Sequence, residues 1–245
     1  MNKTSNPKIS IVIPAFNEEG YIDECLESIL NQDFDQDYEV IVVNNTSTDN
    51  TEKIVREYKN VILVEEQIKG IAQARQTGFM AAKSDIIVST DADVIVPRTW
   101  LSSIWNLMLD NKDAVAIGGY WILYGNPIFE FIYKKAADLD ILTKLTKIYS
   151  GQPLSTANLA VRKWAWEKVG GFDTEIKTAS GMDDIDITLK LSKIGRVIAS
   201  NDFIVRASAR RYIKKPWTIP LRLINALSFS LFGRGIWRKG NSDVR

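Results

Sequence analysis

The stretch Asp85-Ile86-Ile87-Val88-Ser89-Thr90-Asp91-Ala92-Asp93 is a short β-branched run that ends in two carboxylates one residue apart. If the chain turns just past Thr90, Asp91 and Asp93 can converge on one point. Two carboxylates at such a point suit a hard divalent cation, Mg²⁺ or Mn²⁺, because these ions prefer oxygen ligands. An isolated Asp-x-Asp is more often a solvated turn. Its place after a buried-type strand is what makes it a candidate site.

A second acidic cluster, Asp183-Asp184-Ile185-Asp186, opens a helical pattern in which Ile187, Leu191 and Ile194 mark the buried face. At about 100° per residue, Asp183 and Asp184 each lie within roughly 50° of the centre of that face, and Asp186 points to the side. Acids aimed inward are costly unless an ionic or catalytic role retains them, although a helix N-terminus favours their charged form. The chain contains no histidine. That excludes Ser-His and Cys-His catalysis and imidazole acid–base chemistry, so a general base must be a carboxylate or, less readily, Lys or Tyr. Its single cysteine, Cys25, excludes an internal disulfide and sits in an apolar helical pattern as core filler. Trp100, Trp105 and Trp121 are read as core and interface aromatics rather than sugar platforms.

These residues need a scaffold. At 245 residues, with 45% hydrophobic and 25% charged content, the chain has the composition of a globular domain with room for an appendage. Strand patterns at Ile9 to Ile13, Val40 to Val43, Val61 to Val64 and Ile86 to Ser89 alternate with helical patterns. These cover Ile22 to Ile29, Thr51 to Tyr58 (started by Asp49 with Glu52) and Ile71 to Ala82. Such alternation predicts an α/β fold with a mostly parallel, Rossmann-like central sheet and helices on both faces. Ligands then bind beyond the carboxyl ends of the strands, where the loops after Ile13, Val43 and Ser89 open. Further on, the pattern predicts helices over Leu101 to Met108, Ile128 to Thr146, Trp164 to Val169 and Asp183 to Ile194, with strands at Ala114 to Ile117 and Asn158 to Val161.

Charge is unevenly distributed. From Phe203 onward there are ten Lys or Arg and one acid, +9; of the total 31 basic and 30 acidic residues, 21 and 29 remain in residues 1–202, −8. Residues 213–245 therefore read as a short, basic C-terminal helical extension. Leu223, Ile224, Leu227 and Leu231 share one side of it, with Phe229, Phe232 and Trp237 adding bulk. Its uncharged run, Leu223 to Gly233, is shorter than the ~20 residues that span a bilayer. A helix lying on an anionic membrane surface is one reading. Packing on the body, with Arg210 or Arg211 closing over a diphosphate, is the other. No secretory leader is read at the start of the chain. A cytoplasmic protein, peripheral on the membrane's inner face if the extension binds there, is expected.

Several motifs occur in order: Ile13-Pro14-Ala15-Phe16-Asn17-Glu18-Glu19, Val42-Val43-Asn44-Asn45-Thr46-Ser47-Thr48-Asp49, Ala74-Arg75-Gln76-Thr77-Gly78, Asp91-Ala92-Asp93, Gly170-Gly171-Phe172-Asp173 and Gly181-Met182-Asp183-Asp184-Ile185-Asp186. Over roughly residues 8 to 210 the chain resembles family 2 glycosyltransferases of the GT-A fold. The resemblance implies one catalytic domain over 1–212, with a nucleotide-sugar half at about 8–117 and an acceptor half at about 118–212. It implies that Pro14, Ala15, Phe16, Asn17, Glu18 and Asn45 line the nucleoside pocket and that Arg75 faces the nucleobase or the phosphates. Asp91 and Ala92 would lie along the ribose and sugar, and Asp93, with Asp91, would hold Mn²⁺ or Mg²⁺ on the diphosphate. By match to the family's acidic pair Asp184 is the base, with Asp183 and Asp186 as further acceptor or diphosphate contacts.

The expected reaction is inverting, metal-dependent transfer of a sugar from a UDP- or GDP-linked donor to a hydroxyl of a glycan or lipid-linked acceptor, by direct displacement. Transfer to a polyprenyl phosphate is the alternative within the family. A sugar-phosphate nucleotidyltransferase would need a glycine-rich loop after the first strand, which Pro14-Ala15-Phe16-Asn17 does not supply. A non-catalytic nucleotide-binding module would have no use for both acidic clusters, and no nucleic-acid partner is expected. The family usually carries an Asp where this chain has Asn44-Asn45. An amide both donates and accepts, so the preferred base is left open.

Overall fold

The computed structural model describes residues 6–127, 130–131, 154–175 and 182–214. Its first half follows the alternation of the sequence: β1 (Ile9–Ala15), α1 (Ile22–Leu30), β2 (Tyr38–Asn44), α2 (Thr51–Glu57), β3 (Val61–Glu65), α3 (Ile71–Ala81) and β4 (Ile86–Thr90). After these come β5 (Val94–Ile95), α4 (Trp100–Asp110), β6 (Ala114–Tyr124), β7 (Asn158–Arg162), α5 (Lys163–Lys168), α6 (Met182–Ser192), β8 (Arg196–Ser208) and α7 (Arg210–Lys214).

The eight strands form one sheet in the order β3-β2-β1-β4-β7-β6-β8-β5. The β1–β2, β2–β3, β1–β4 and β6–β8 pairs are parallel. β7 runs antiparallel to both β4 and β6, and β5 antiparallel to β8. The parallel half is as expected, whereas the far half is mixed. β8 and β5 carried no sequence expectation. β8 has the buried–exposed alternation of a half-covered strand only over Phe203 to Val205, and elsewhere its exposed residues dilute the pattern. β6 extends past the expected Ile117 to Tyr124, so the expected border between halves at 117/118 falls inside a strand.

Alternate residues of the strands feed two cores. Ile9, Ile11, Ile13, Val40, Val42 and Val88 meet α1, α4 and Val55 of α2 on one face. On the other, Val12, Ile41, Val43 and Ile87 meet α3, α5 and α6 through residues such as Phe79, Trp166 and Leu191. Trp100 is fully buried and Cys25 is buried, as read from the pattern. Trp105 packs edge-on to Phe34, and Trp121 stacks on Tyr212. At Gly78 of α3 a Cβ would lie 2.3 Å from Val12 Cγ1, so the missing side chain is what lets α3 settle on the sheet.

Strand register sets the site. Ala15 pairs with Asn44, Asn44 with Glu65, and Thr90 with Asn158. The carboxyl ends of β1, β2 and β4 therefore open at one edge, together with the amino end of the antiparallel β7. Apart from residues 130–131, the expected helix over Ile128 to Thr146 lies outside the described residues, as does the extension beyond Lys214. Among the described residues no helix is long and apolar enough to cross a membrane.

Candidate active site

The loops after β1 and β2 are knit together. Asn17 takes a left-handed backbone with φ 55°, a conformation Asn tolerates better than most residues. Its Oδ1 accepts from the Thr48 N–H at 2.8 Å, and its own N–H donates to Ser47 Oγ at 3.1 Å. Glu18 N–H donates to Thr51 Oγ1 at 2.7 Å. Asp49, one residue before the N-cap Asn50 of α2, accepts from Thr51 N–H at 3.0 Å, and Glu52 pairs with Arg56, so the capping box expected from Asp49 and Glu52 is not formed. Pro14 and Ala15 are buried in β1, and Phe16 is half-buried under the Lys69 ammonium, 4.2 Å from the ring centre.

Asn45 is committed to the backbone. Its amide donates to Glu66 O (3.0 Å) and Ile68 O (2.8 Å) and accepts from Gly70 N–H (2.7 Å), which holds the 66–70 loop beside Phe16. Asn44 donates to Glu65 Oε2 at 2.9 Å and accepts from Ser47 N–H at 3.3 Å. Here both amides tie the loop after β2 to neighbouring chain.

Arg75 is 2% exposed. One terminal nitrogen pairs with Asp183 Oδ2 and the other with Asp91 Oδ1 at 2.5 Å. Both terminal nitrogens of Arg75, the residue expected to face the nucleobase or the phosphates, are engaged by carboxylates. What Arg75 does is join the acid after β4 to the acid at the start of α6. Its Nε–H has no hydrogen-bond partner among the described residues.

Asp93 faces a different cation. Arg210 of α7 reaches Asp93 Oδ2 from Nε (3.1 Å) and from a terminal nitrogen (3.0 Å), and the same nitrogen meets Glu18 Oε1 and Oε2 at 2.6 and 2.5 Å. The guanidinium also lies over the Tyr21 ring, 4.1 Å from its centre. Burial, reinforced by neighbouring Asp91, raises the Asp93 pKa, and Arg210 and Arg211 oppose that shift. Ala92, between the acids, is buried. Asp91 and Asp93 thus stand at one strand end with separate arginine partners. Among the described residues no group of three His, Cys, Asp or Glu side chains converges as a metal cage. Two carboxylates with only oxygen donors, one of them half-buried and in need of positive charge, fit a Mg²⁺- or Mn²⁺-type ion completed by substrate phosphates and water.

Asp184 has another environment. Its Oδ1 accepts from the Thr156 backbone N–H at 3.0 Å and from the Thr156 hydroxyl. Burial, and then the neighbouring Asp183 charge, push its pKa up to about 6, against the pull of Arg75 and Thr156. Asp186 points aside, as the helical phase predicts, and pairs with Lys190 one turn on at 2.7 Å. Arg211, half-exposed, is near enough to Asp93 to influence it electrostatically.

Sequence reasoning missed Thr156, Tyr21 and Lys69. Tyr21 and Lys69 lie in loops without a pattern. For Thr156 the available signal was the polar pair Ser155-Thr156, one residue ahead of a strand that is buried from its first residue.

Comparison with known proteins places the chain in a family and a fold. Residues 10–158 match glycosyl transferase family 2, and the chain belongs to that family. It is 31% identical over 206 residues to a poly(ribitol-phosphate) beta-glucosyltransferase of Bacillus spizizenii, covering 80% of this chain and 32% of that protein. It is also 29% identical over 183 residues to glycosyltransferase AglE of Haloferax volcanii, covering 69% of this chain and 57% of that one. Among solved structures, the mannosyltransferase PcManGT of Pyrobaculum calidifontis, in complex with GDP-Man and Mn²⁺, aligns over 98% of this chain and 67% of its own, with TM-score 0.68 and 25% identity. Residues 1–349 of TarS from S. aureus align over 89% of this chain and 66% of theirs, with TM-score 0.63 and 19% identity. The fold is GT-A. The chain spans 32%, 17% and 39% of the length of the first three curated relatives it matches.

Proposed function

We propose that this chain is an inverting glycosyltransferase that moves a sugar from a nucleoside-diphosphate sugar to a hydroxyl acceptor, with Asp184 as general base. The observation that carries the reading is the buried Arg75 bridge. It ties Asp91, on the donor side, to Asp183, the residue next to an acid with a pKa of about 6. Asp184 takes the acceptor hydroxyl proton as the acceptor oxygen bonds to the anomeric carbon. The bond from that carbon to the diphosphate breaks, the configuration inverts, and the nucleoside diphosphate leaves. A base whose pKa sits just below neutrality is mostly ionised and still basic enough to take that proton.

Asp93 and Asp91 would hold a divalent cation on the diphosphate, and when bound the cation neutralises charge on the leaving group. Arg210, already spanning Glu18 and Asp93, is placed to move onto the diphosphate as well. The complexes of PcManGT with GDP-Man and Mn²⁺, and of TarS with UDP-GlcNAc, support a nucleotide-sugar donor. A polyprenyl phosphate acceptor is already ionised and needs no base, so the raised Asp184 favours a hydroxyl.

A thermal-shift comparison of UDP and GDP with and without Mn²⁺ tests the donor side. The preferred nucleotide should raise Tm, and more so with the metal, since a ligand bound by the native state stabilises it by mass action. No stabilisation by either nucleotide would count against the reading. The basic segment 213–245 is proposed to attach to anionic membrane. Salt-sensitive co-sedimentation of the full chain with phosphatidylserine vesicles checks this, and indifference to vesicles at low salt would return the segment to the body of the protein.

A further inference from the structure

The segment just before β7 is held more firmly than a connecting loop requires. Leu154 N–H donates to Thr188 Oγ1 at 3.0 Å, and the Thr188 hydroxyl donates to the Asp184 carbonyl at 2.7 Å, so residue 154 is tied to the first turns of α6. On the other flank Thr90 Oγ1, the residue before Asp91, donates to Ala157 O at 3.0 Å. Asn158 Nδ2 donates to Tyr120 O (3.0 Å) and Phe203 O (2.9 Å), and its Oδ1 accepts from Trp100 Nε1 at 2.9 Å. Thr156, 1% exposed, lies between these ties.

We propose that Thr156 is a positioning residue for the proposed base: its hydroxyl and backbone N–H fasten Oδ1 of Asp184 and leave Oδ2 as the oxygen that takes the acceptor proton. The inference rests on the reading of Asp184 as base. Both hydrogen bonds fall on Oδ1, and no described residue bonds Oδ2. A backbone N–H only donates, so a proton arriving on Oδ1 would displace a hydrogen bond, whereas one arriving on Oδ2 would not. A carboxyl group turns easily about χ2, a broad torsion. Two donors on one oxygen, delivered from a segment tied to both α6 and the end of β4, fix that rotation and so fix the direction from which a hydroxyl is deprotonated. The charged groups facing Asp184 are Asp183 on its own helix and Arg75 from α3. Neither bonds it, and Thr156 does.

Removing the hydroxyl at constant shape tests this. Thr156→Val retains the β-branch and the backbone N–H and loses one hydrogen bond to the ionised carboxylate; Thr156→Ser retains both donors. In ¹³C-carboxyl NMR titration of the full chain, with the Asp184 resonance assigned from Asp184→Asn, Thr156→Val should raise the midpoint by about one pH unit. Thr156→Ser should leave it near that of the unaltered protein. The acidic limb of UDP release from UDP-N-acetylglucosamine, or GDP release from GDP-mannose, with Mn²⁺ should move with it, the loss falling on kcat and not on donor KM. An unchanged midpoint in folded Thr156→Val, or a serine variant displaced as far as the valine one, overturns the inference. So does unfolding of both Thr156→Val and Thr156→Ala while Thr156→Ser folds, which would make the hydroxyl structural. If Asp184→Asn retains turnover, the base reading itself fails. If Asp184→Asn is inactive and the valine midpoint is unmoved, only the role of Thr156 falls.

Discussion

Asp183 and Asp184 are neighbours in sequence with opposite surroundings, one paired with a buried guanidinium and the other held by a neutral threonine. Environment, more than residue type, separates their roles, so substitutions should separate them too. Asp184→Asn should lower transfer by ~10²-fold or more while leaving the nucleotide-dependent thermal shift intact. Arg75→Met should behave differently. It leaves Asp183, 6% exposed at its side chain, without its cation, and breaking one side of a buried pair costs about 3–5 kcal/mol. Adding Asp183→Asn should recover part of that loss, a non-additivity that denaturant unfolding of the two single variants and the double variant measures directly. Asp93→Asn should retain the fold and lose the Mn²⁺-dependent part of the nucleotide shift. An undiminished Mn²⁺ effect would remove Asp93 from the metal site.

At the level of elements, the β1 to β4 half was legible because strands buried on both faces read as continuous apolar runs and its helices carry clear apolar stripes. The β5 to β8 half was not. β5 has two residues, and β8 crosses a bulged pairing with β6 where alternation is interrupted. Glycines report how closely these elements approach. Gly78→Ala places a methyl against Val12 and Val43, a side-chain conflict that should cost about 1–3 kcal/mol in chemical denaturation. Gly119→Ala should cost more. There the obstacle is Phe203 O, 2.1 Å from the added Cβ, and a backbone oxygen moves only if β6 and β8 separate. Urea midpoints that ranked the two in the reverse order would show that the β6–β8 bulge is the more compliant contact.

At the scale of the molecule, the site is stabilised less than it could be. Asp184 has its pKa raised to about 6 from the ordinary 3.8. The sign follows from proton linkage: the folded state binds this proton more tightly than the unfolded chain. Its contribution is therefore fully present below the unfolded pKa and is lost as pH rises through the folded value. Asp184→Asn, which mimics the protonated acid, should thus be more stable than the unaltered protein at about pH 7.5. The gain should be on the order of 1–3 kcal/mol and should fade as pH drops below the unfolded pKa. Thermal unfolding across that window checks it, and a gain that persists in acid would mean the stabilisation is not electrostatic. The sequence by itself determined the fold class, the strands of the parallel half and, through the absence of histidine, the exclusion of imidazole chemistry. These follow from local periodicity and composition, which need no knowledge of the distant chain. Only the tertiary structure decided which charges meet: Arg75 with Asp183 across 108 positions, Arg210 with Glu18 across 192, and Thr156 with Asp184 across 28. Such pairings arise from the order of strands in the sheet, above all from an antiparallel β7 inserted beside β4. That order is set by the burial of whole faces against one another, which no local pattern records.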